Sequence, residues 1–169
     1  MVRRRALKAG SGTGGNPERA ADPGAAHAAA VSLLARRDLP SGELRARLGE
    51  RGFEPAAASA ALAELAAEGA LDDARFAHNY VASQAARGRG PVRIAADLRQ
   101  RGVAAELIET ALAAGCDWRA LAAAARTRRF GRRPPADYRD KARQARFLQY
   151  RGFSADHIRA ATGADVDPD

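Results

Sequence analysis

The residues best placed to do chemistry in this chain are its arginines. Arg126, Arg128, Arg129, Arg132 and Arg133 fall within eight positions. Arg139, Arg143 and Arg146 follow at i, i+4 and i+7, the spacing of one helical stripe. A guanidinium keeps its charge at any physiological pH and offers a planar fork of donors, which suits phosphates and carboxylates. Residues 119–151 hold eleven basic groups against Asp137 and Asp140, a net charge of +9, whereas residues 25–118 are close to neutral at −1. The first 24 residues carry +3, the stretch from 152 carries −3, and the whole chain +8. Segregation of this kind predicts a surface facing phosphates or an acidic partner in the last third of the chain. Arg89, between Gly88 and Gly90, and Arg93 just beyond add a short basic turn. That turn lacks the Lys-Ser/Thr pair of a phosphate-binding loop, so it reads as a backbone-touching turn or a plain tight turn, not a nucleotide site.

Catalytic and metal chemistry find little support. His27, His78 and His157 are isolated, and Cys116 has no second thiol. Asp72 and Asp73 are adjacent, but neighbours in sequence do not share a helix face, so they read as the acidic start of a helix. No nucleophile and base stand in a recognisable pattern. The expectation is a protein that is not an enzyme and needs neither cofactor nor metal. A lone cysteine permits no internal disulfide and suits a reducing cytoplasm. No apolar run approaches the length of a membrane span. The N-terminal arginines are not followed by the apolar core of a secretory signal.

The elements that must position these arginines are helical. Alanine is abundant and aromatics are sparse, which favours helices over strands. The hexamers Leu48–Phe53, Leu98–Val103 and Leu148–Phe153 each read L-x-x-R-G-(F/V), and their glycines fall at 52, 102 and 152. A period of about 50 residues signals a repeated supersecondary unit. Each hexamer predicts a buried Leu in the last helical turn, a cation at the helix C-terminus, a left-handed Gly and an apolar residue that opens the next helix. Three three-helix repeats follow, over residues 25–69, 70–115 and 116–163, between a disordered basic arm (1–24) and an acidic tail (164–169).

Within repeat one, Val31, Leu33 and Leu34 are expected inward, Pro40 to break the chain, and Ser41 to cap the second helix. Asp72 caps the first helix of repeat two, with Leu71 and Phe76 forming a hydrophobic staple. Asp117, Asp137 and Ser154 open the helices of repeat three, and Tyr138, Ala142, Ala145 and Leu148 are expected inward. The stretch 126–133 reads as a link between helices, because Pro134 and Pro135 bar a helix there. Trp118, Tyr80, Tyr138 and Phe130 have the chemistry to stack on bases. Core packing is the better reading for all but Phe130, which lies among arginines. Arg51, Arg101 and Arg151 read as cations at helix ends.

The D-D-x-R-F-A start, the G-x-G-P-x-R-I turn and the repeated hexamer together resemble the RecX family, regulators of the RecA recombinase. The matching residues are Asp72, Asp73, Arg75, Phe76, Ala77, Tyr80, Gly88, Gly90, Pro91, Arg93, Ile94, Leu98, Arg101 and Gly102. The similarity runs over roughly residues 27–162. The chain departs from the family at its ends and in its alanine content. The resemblance implies an all-α protein whose three repeats stack into an elongated, curved array. It implies a cytoplasmic monomer, active in DNA repair, homologous recombination and the SOS response. Such a protein binds the RecA–DNA filament and mostly inhibits its recombinase and ATPase activity, touching single- or double-stranded DNA without sequence preference. The rival reading is a sequence-nonspecific DNA-binding repeat protein with no recombinase partner. The residues expected to make filament or DNA contacts are Arg89, Arg93, Arg126, Arg128, Arg129, Arg132, Arg133, Arg139, Arg143 and Arg146.

Overall fold

The computed structural model describes residues 16–163. The helices are α1 (Pro17–Ala20), α2 (Pro23–Leu34), α3 (Ser41–Glu50), α4 (Pro55–Ala67) and α5 (Asp73–Ala86), then α6 (Pro91–Gln100), α7 (Ala105–Ala113), α8 (Trp118–Phe130), α9 (Tyr138–Arg151) and α10 (Ala155–Thr162). No strand occurs among the described residues, so the chain is all-α. It divides into two compact units, one of residues 16–37 and 44–70, the other of 38–43 and 71–163.

The described part of the expected basic arm is ordered. Asn16 accepts from Glu18 N and Pro17 suits the first turn, so α1 forms. Glu54 N donates to Ala20 O at 2.8 Å, and Arg19 lies over the Phe53 ring, which ties α1 to its unit. Residues 1–15, and the tail from 164, lie outside the described residues. In the first unit α2 packs on α4 through small side chains: Ala26, Ala30 and Leu33 against Ala57, Ala58, Ala61, Leu62 and Leu65. That stripe runs at i, i+4 and i+7 and leaves Val31 off it. Val31 is 46 % exposed, not inward as its type predicts.

The second unit holds two adjoining cores. One is Phe76, Ala77, Val81, Ile94, Ala95, Leu98, Val103, Ile108 and Ala111; the other is Ala122, Ala145, Leu148, Phe153 and Ile158. Trp118 packs against both, and its Nε1–H donates to Leu112 O at 3.0 Å. Tyr138 departs from expectation. It is the first residue of α9, ahead of the buried stripe Gln144, Ala145 and Leu148, and it is 87 % exposed.

The repeated hexamer forms the same helix stop three times. Phe53 N to Leu48 O, Val103 N to Leu98 O and Phe153 N to Leu148 O each measure 3.1 Å. The three leucines are fully buried, and the three glycines have φ of 85°, 79° and 87°. This is the double-bonded stop that satisfies the last helical carbonyls.

Asp72, Asp117, Asp137 and Ser154 cap α5, α8, α9 and α10 as their types predict. Ser41 behaves otherwise. It opens α3, but its hydroxyl donates to Asp73 Oδ2, and Asp73 Oδ1 accepts its backbone N–H at 2.7 Å. The second aspartate of the pair therefore caps a helix 32 residues upstream. Asp73→Ala should lower the free energy of unfolding by about 1–2 kcal/mol, the usual cost of a lost N-cap. Urea denaturation measures it, and a change below about 0.5 kcal/mol would contradict the assignment.

Candidate functional site: an arginine groove

Three segments of the second unit build the site. The turn after α5 supplies Arg89 and the first turn of α6 supplies Arg93. The end of α8 supplies Arg129 and Phe130, and the outer face of α9 supplies Arg143, Arg146, Phe147, Tyr150 and Arg151. These nine residues line an open groove of about 900 Å³, with no carboxylate among them. The helix α8 runs on through Phe130, so Arg126 to Arg129 are its last turns and not a link as the sequence predicts. The following Gly131, with φ of 87°, and Pro134 and Pro135 then end it.

What brings Arg89 and Arg93 to the α9 arginines is a backbone joint. Gly90 N donates to Arg151 O at 2.8 Å and Val92 N donates to Gly152 O at 3.0 Å. The last carbonyls of α9 thus satisfy the first orphan N–H groups of α6, and the two helix dipoles meet head to tail. Side chains are excluded from the joint: a Cβ on Gly90 would overlap the Gly152 carbonyl, and one on Gly152 would overlap Arg93 Cβ. Arg93 Nη1 also donates to Tyr150 O at 3.3 Å.

The guanidinium groups differ in how far their charge is answered. Arg89 pairs with Asp97 at 3.0 Å, and Tyr80 OH donates to the same carboxylate oxygen. Arg143 pairs with Asp140 at 2.7 Å and also sits over the Phe130 ring. A hydrogen bond from Ala136 N–H, more than the neighbouring Arg143, holds the Asp140 carboxyl below its ordinary pKa. Arg129 also lies over Phe130, and Arg151 lies over Phe147 at 5.3 Å while donating to Arg87 O. Phe130 and Phe147 meet edge to face with centroids 5.3 Å apart. The groove therefore has an aromatic floor under a cationic rim, and Tyr150 stands 81 % exposed beside it.

Of the ten arginines singled out by sequence, the groove gathers Arg89, Arg93, Arg129, Arg143 and Arg146. Arg128 lines a smaller cleft nearby, and Arg139 lines a shallow hollow beside Asp137 and Asp140. Arg132 and Arg133 are exposed in the loop after α8. Arg126 is turned inward instead. Only 8 % exposed, it donates to Arg133 O at 3.0 Å and to Gln144 Oε1 at 3.1 Å, holding that loop to α9. Arg126→Met should leave the buried Gln144 Oε1 without that donor, free the loop from α9, and cost about 1.5–3 kcal/mol in stability. A thermal melt indistinguishable from the parent protein's would show the link to be dispensable.

Phe147, Tyr150 and Arg151 went unassigned to the site by sequence. Arg151 belongs to the repeated hexamer and reads as a helix-end cation. The available signal was its i, i+4 spacing from Phe147 on the arginine-bearing helix. Of the other aromatics singled out by sequence, Tyr138 is exposed and Trp118 and Tyr80 pack inward: Tyr80 stacks on Phe76 under Arg101, which pairs with Glu43 at 2.8 Å. Three of the four isolated titratable groups have local contacts. His27 lies 3.6 Å from Glu68, His157 closes a capping box with Ser154, and Cys116 packs against the core of the second repeat. No helix among the described residues is long and apolar enough to cross a membrane.

Fold and groove define a class: an all-α protein of repeated three-helix domains that carries an arginine-lined groove. Models of the first, second and third three-helix domains of RecX match residues 26–65, 72–112 and 117–162. The regulatory protein RecX of Halorhodospira halophila is 50 % identical over 142 residues, covering 83 % of this chain and 88 % of that one. That of Chromohalobacter salexigens is 43 % identical over 133 residues, 78 % of this chain and 87 % of its own. The crystal structure of RecX from Lactobacillus salivarius superimposes with a TM-score of 0.72 at 20 % identity, over 83 % of this chain and 94 % of that one. The chain belongs to the RecX family, a family of regulatory proteins.

Proposed function

We propose that this protein binds the RecA–DNA filament and restrains it, lowering recombinase and ATPase activity. The carrying observation is a groove whose lining holds no carboxylate and gathers five of the sequence-predicted arginines with Arg151 around two phenylalanines, although Arg89 and Arg143 each pair with an acid outside the lining. Guanidinium groups at such density suit phosphate oxygens and acidic side chains, the two anionic chemistries of a protein-coated DNA strand. The groove residues Arg89, Arg93, Arg129, Arg143 and Arg146 are the proposed contacts, with the exposed Arg128, Arg132, Arg133 and Arg139 flanking them. Family membership supplies the regulatory role, and the site supplies the chemistry of contact. Binding of this kind is noncovalent and calls for no catalytic group or cofactor.

The test is RecA ATPase on single-stranded DNA with the protein added below one copy per recombinase. Hydrolysis should fall; undiminished hydrolysis with unchanged filament length would refute the reading. Competition between naked and RecA-coated strands at two salt concentrations separates the rival. A sequence-tolerant DNA binder prefers neither strand and loses affinity steeply with salt.

A further inference from the structure

Beside the arginine groove lies a second, smaller cleft of about 170 Å³, between the end of α5, the middle of α8 and the outer face of α9. Its floor is apolar: Ala85, Leu121, Ala125 and Phe147. Its rim is cationic, with Arg87 and Arg128 both exposed, and no carboxylate lines it. The volume matches one large apolar side chain, since a cavity of about 150 Å³ lined by apolar groups already takes up benzene. The Arg151 guanidinium, held over Phe147 and bonded to Arg87 O, fixes the wall between cleft and groove.

We infer that this cleft is a docking pocket for an acidic protein segment bearing one large apolar side chain, which enters the floor while flanking carboxylates meet the rim. Charge complementarity and shape carry the assignment. A bare phosphate backbone offers nothing to bury against Leu121 and Phe147, whereas a peptide offers both parts at once. Apolar burial sets the affinity and the arginines set the sign of the partner's charge. The cleft shares Arg129, Phe147 and Arg151 with the groove, but its test needs no recombinase or DNA, so its failure and that of the filament reading are distinguishable.

Fluorescence anisotropy with a labelled seven-residue peptide tests it on the full chain. The central residue is phenylalanine and the flanking six are aspartate and glutamate; a second peptide has alanine at the centre. The phenylalanine peptide should bind the protein at least about tenfold tighter than the alanine peptide. Ala124→Phe, which fills the cleft from an exposed helical position, should erase that difference without altering charge. Ala86→Phe does the same from α5, so misfolding of one variant leaves the other informative. Equal binding of the two peptides, or none, would overturn the assignment, because charge alone or nothing would then explain the data. So would a preference that survives in both filled variants with circular dichroism intact.

Discussion

Gly152→Ala should lower the free energy of unfolding by about 3–5 kcal/mol and should dismantle the arginine groove. Two effects combine. Gly152 has φ of 87°, a conformation that costs a side-chain-bearing residue about 1–3 kcal/mol. The new Cβ also overlaps Arg93 Cβ and lies 2.7 Å from Arg93 N, an overpacking cost of about 1–3 kcal/mol. The neighbour in question is backbone at the first turn of α6, so it gives way only if α6 and α9 separate. That movement breaks the bonds from Gly90 N and Val92 N and draws Arg89 and Arg93 away from Arg143 and Arg146.

Urea denaturation reads the stability, and amide exchange at Gly90 and Val92 reads the joint. Gly49→Ala is the matched control. Gly49 is helical, and a Cβ there meets nothing within 4 Å. That substitution should be neutral or stabilise by about 0.5–1 kcal/mol. Equal effects from the two glycines would mean that the close approach at Gly152 carries no weight.

Reversing Arg93, Arg129 and Arg146 to glutamate should weaken binding to RecA-coated strands by about two orders of magnitude. None of the three has a carboxylate partner among the described residues, so their loss leaves no buried acid unanswered. Circular dichroism and the melting temperature should therefore stay near those of the parent protein. If the contacts are phosphates, the slope of log affinity against log salt should also shrink by about three, one for each cation removed. Reversal of Arg132 and Arg133 in the loop should do far less, because neither lines the groove. Unchanged affinity in the triple variant, with the fold intact, would remove the groove from the mechanism. Arg126 is unsuitable for this test: burial beside Gln144 makes its reversal a folding defect.

Local chemistry made much of the molecule legible in advance. Helix caps depend on one side chain and the N–H groups two or three residues on, so Asp72, Asp117, Asp137 and Ser154 could be assigned from spacing alone. The hexamer is likewise local. Its Leu, Gly and apolar residue form one bonded stop, and its recurrence revealed three repeats and, with the D-D-x-R-F-A and G-x-G-P-x-R-I segments, the family. Net charge by segment placed the cations in the last third of the chain. Where reading by type failed, the helix's rotational phase decided. Val31 and Tyr138 are apolar enough for a core but lie off the buried stripe or ahead of it, and both are exposed.

Tertiary structure alone decided which arginines share a surface. A sequence shows how many guanidinium groups there are, but not which way each side chain turns once α8 meets α9. Arg126 turned inward because Gln144 and the Arg133 carbonyl offered acceptors there. Asp73 reached Ser41, and Arg89 came to line one groove with Arg146, through contacts between residues far apart in sequence. Such pairings are set by how helices close-pack and by glycines that permit backbone to touch backbone. Residue types and periodicity therefore determined the helices, the repeat and the sign of the charge, and packing chose the groove.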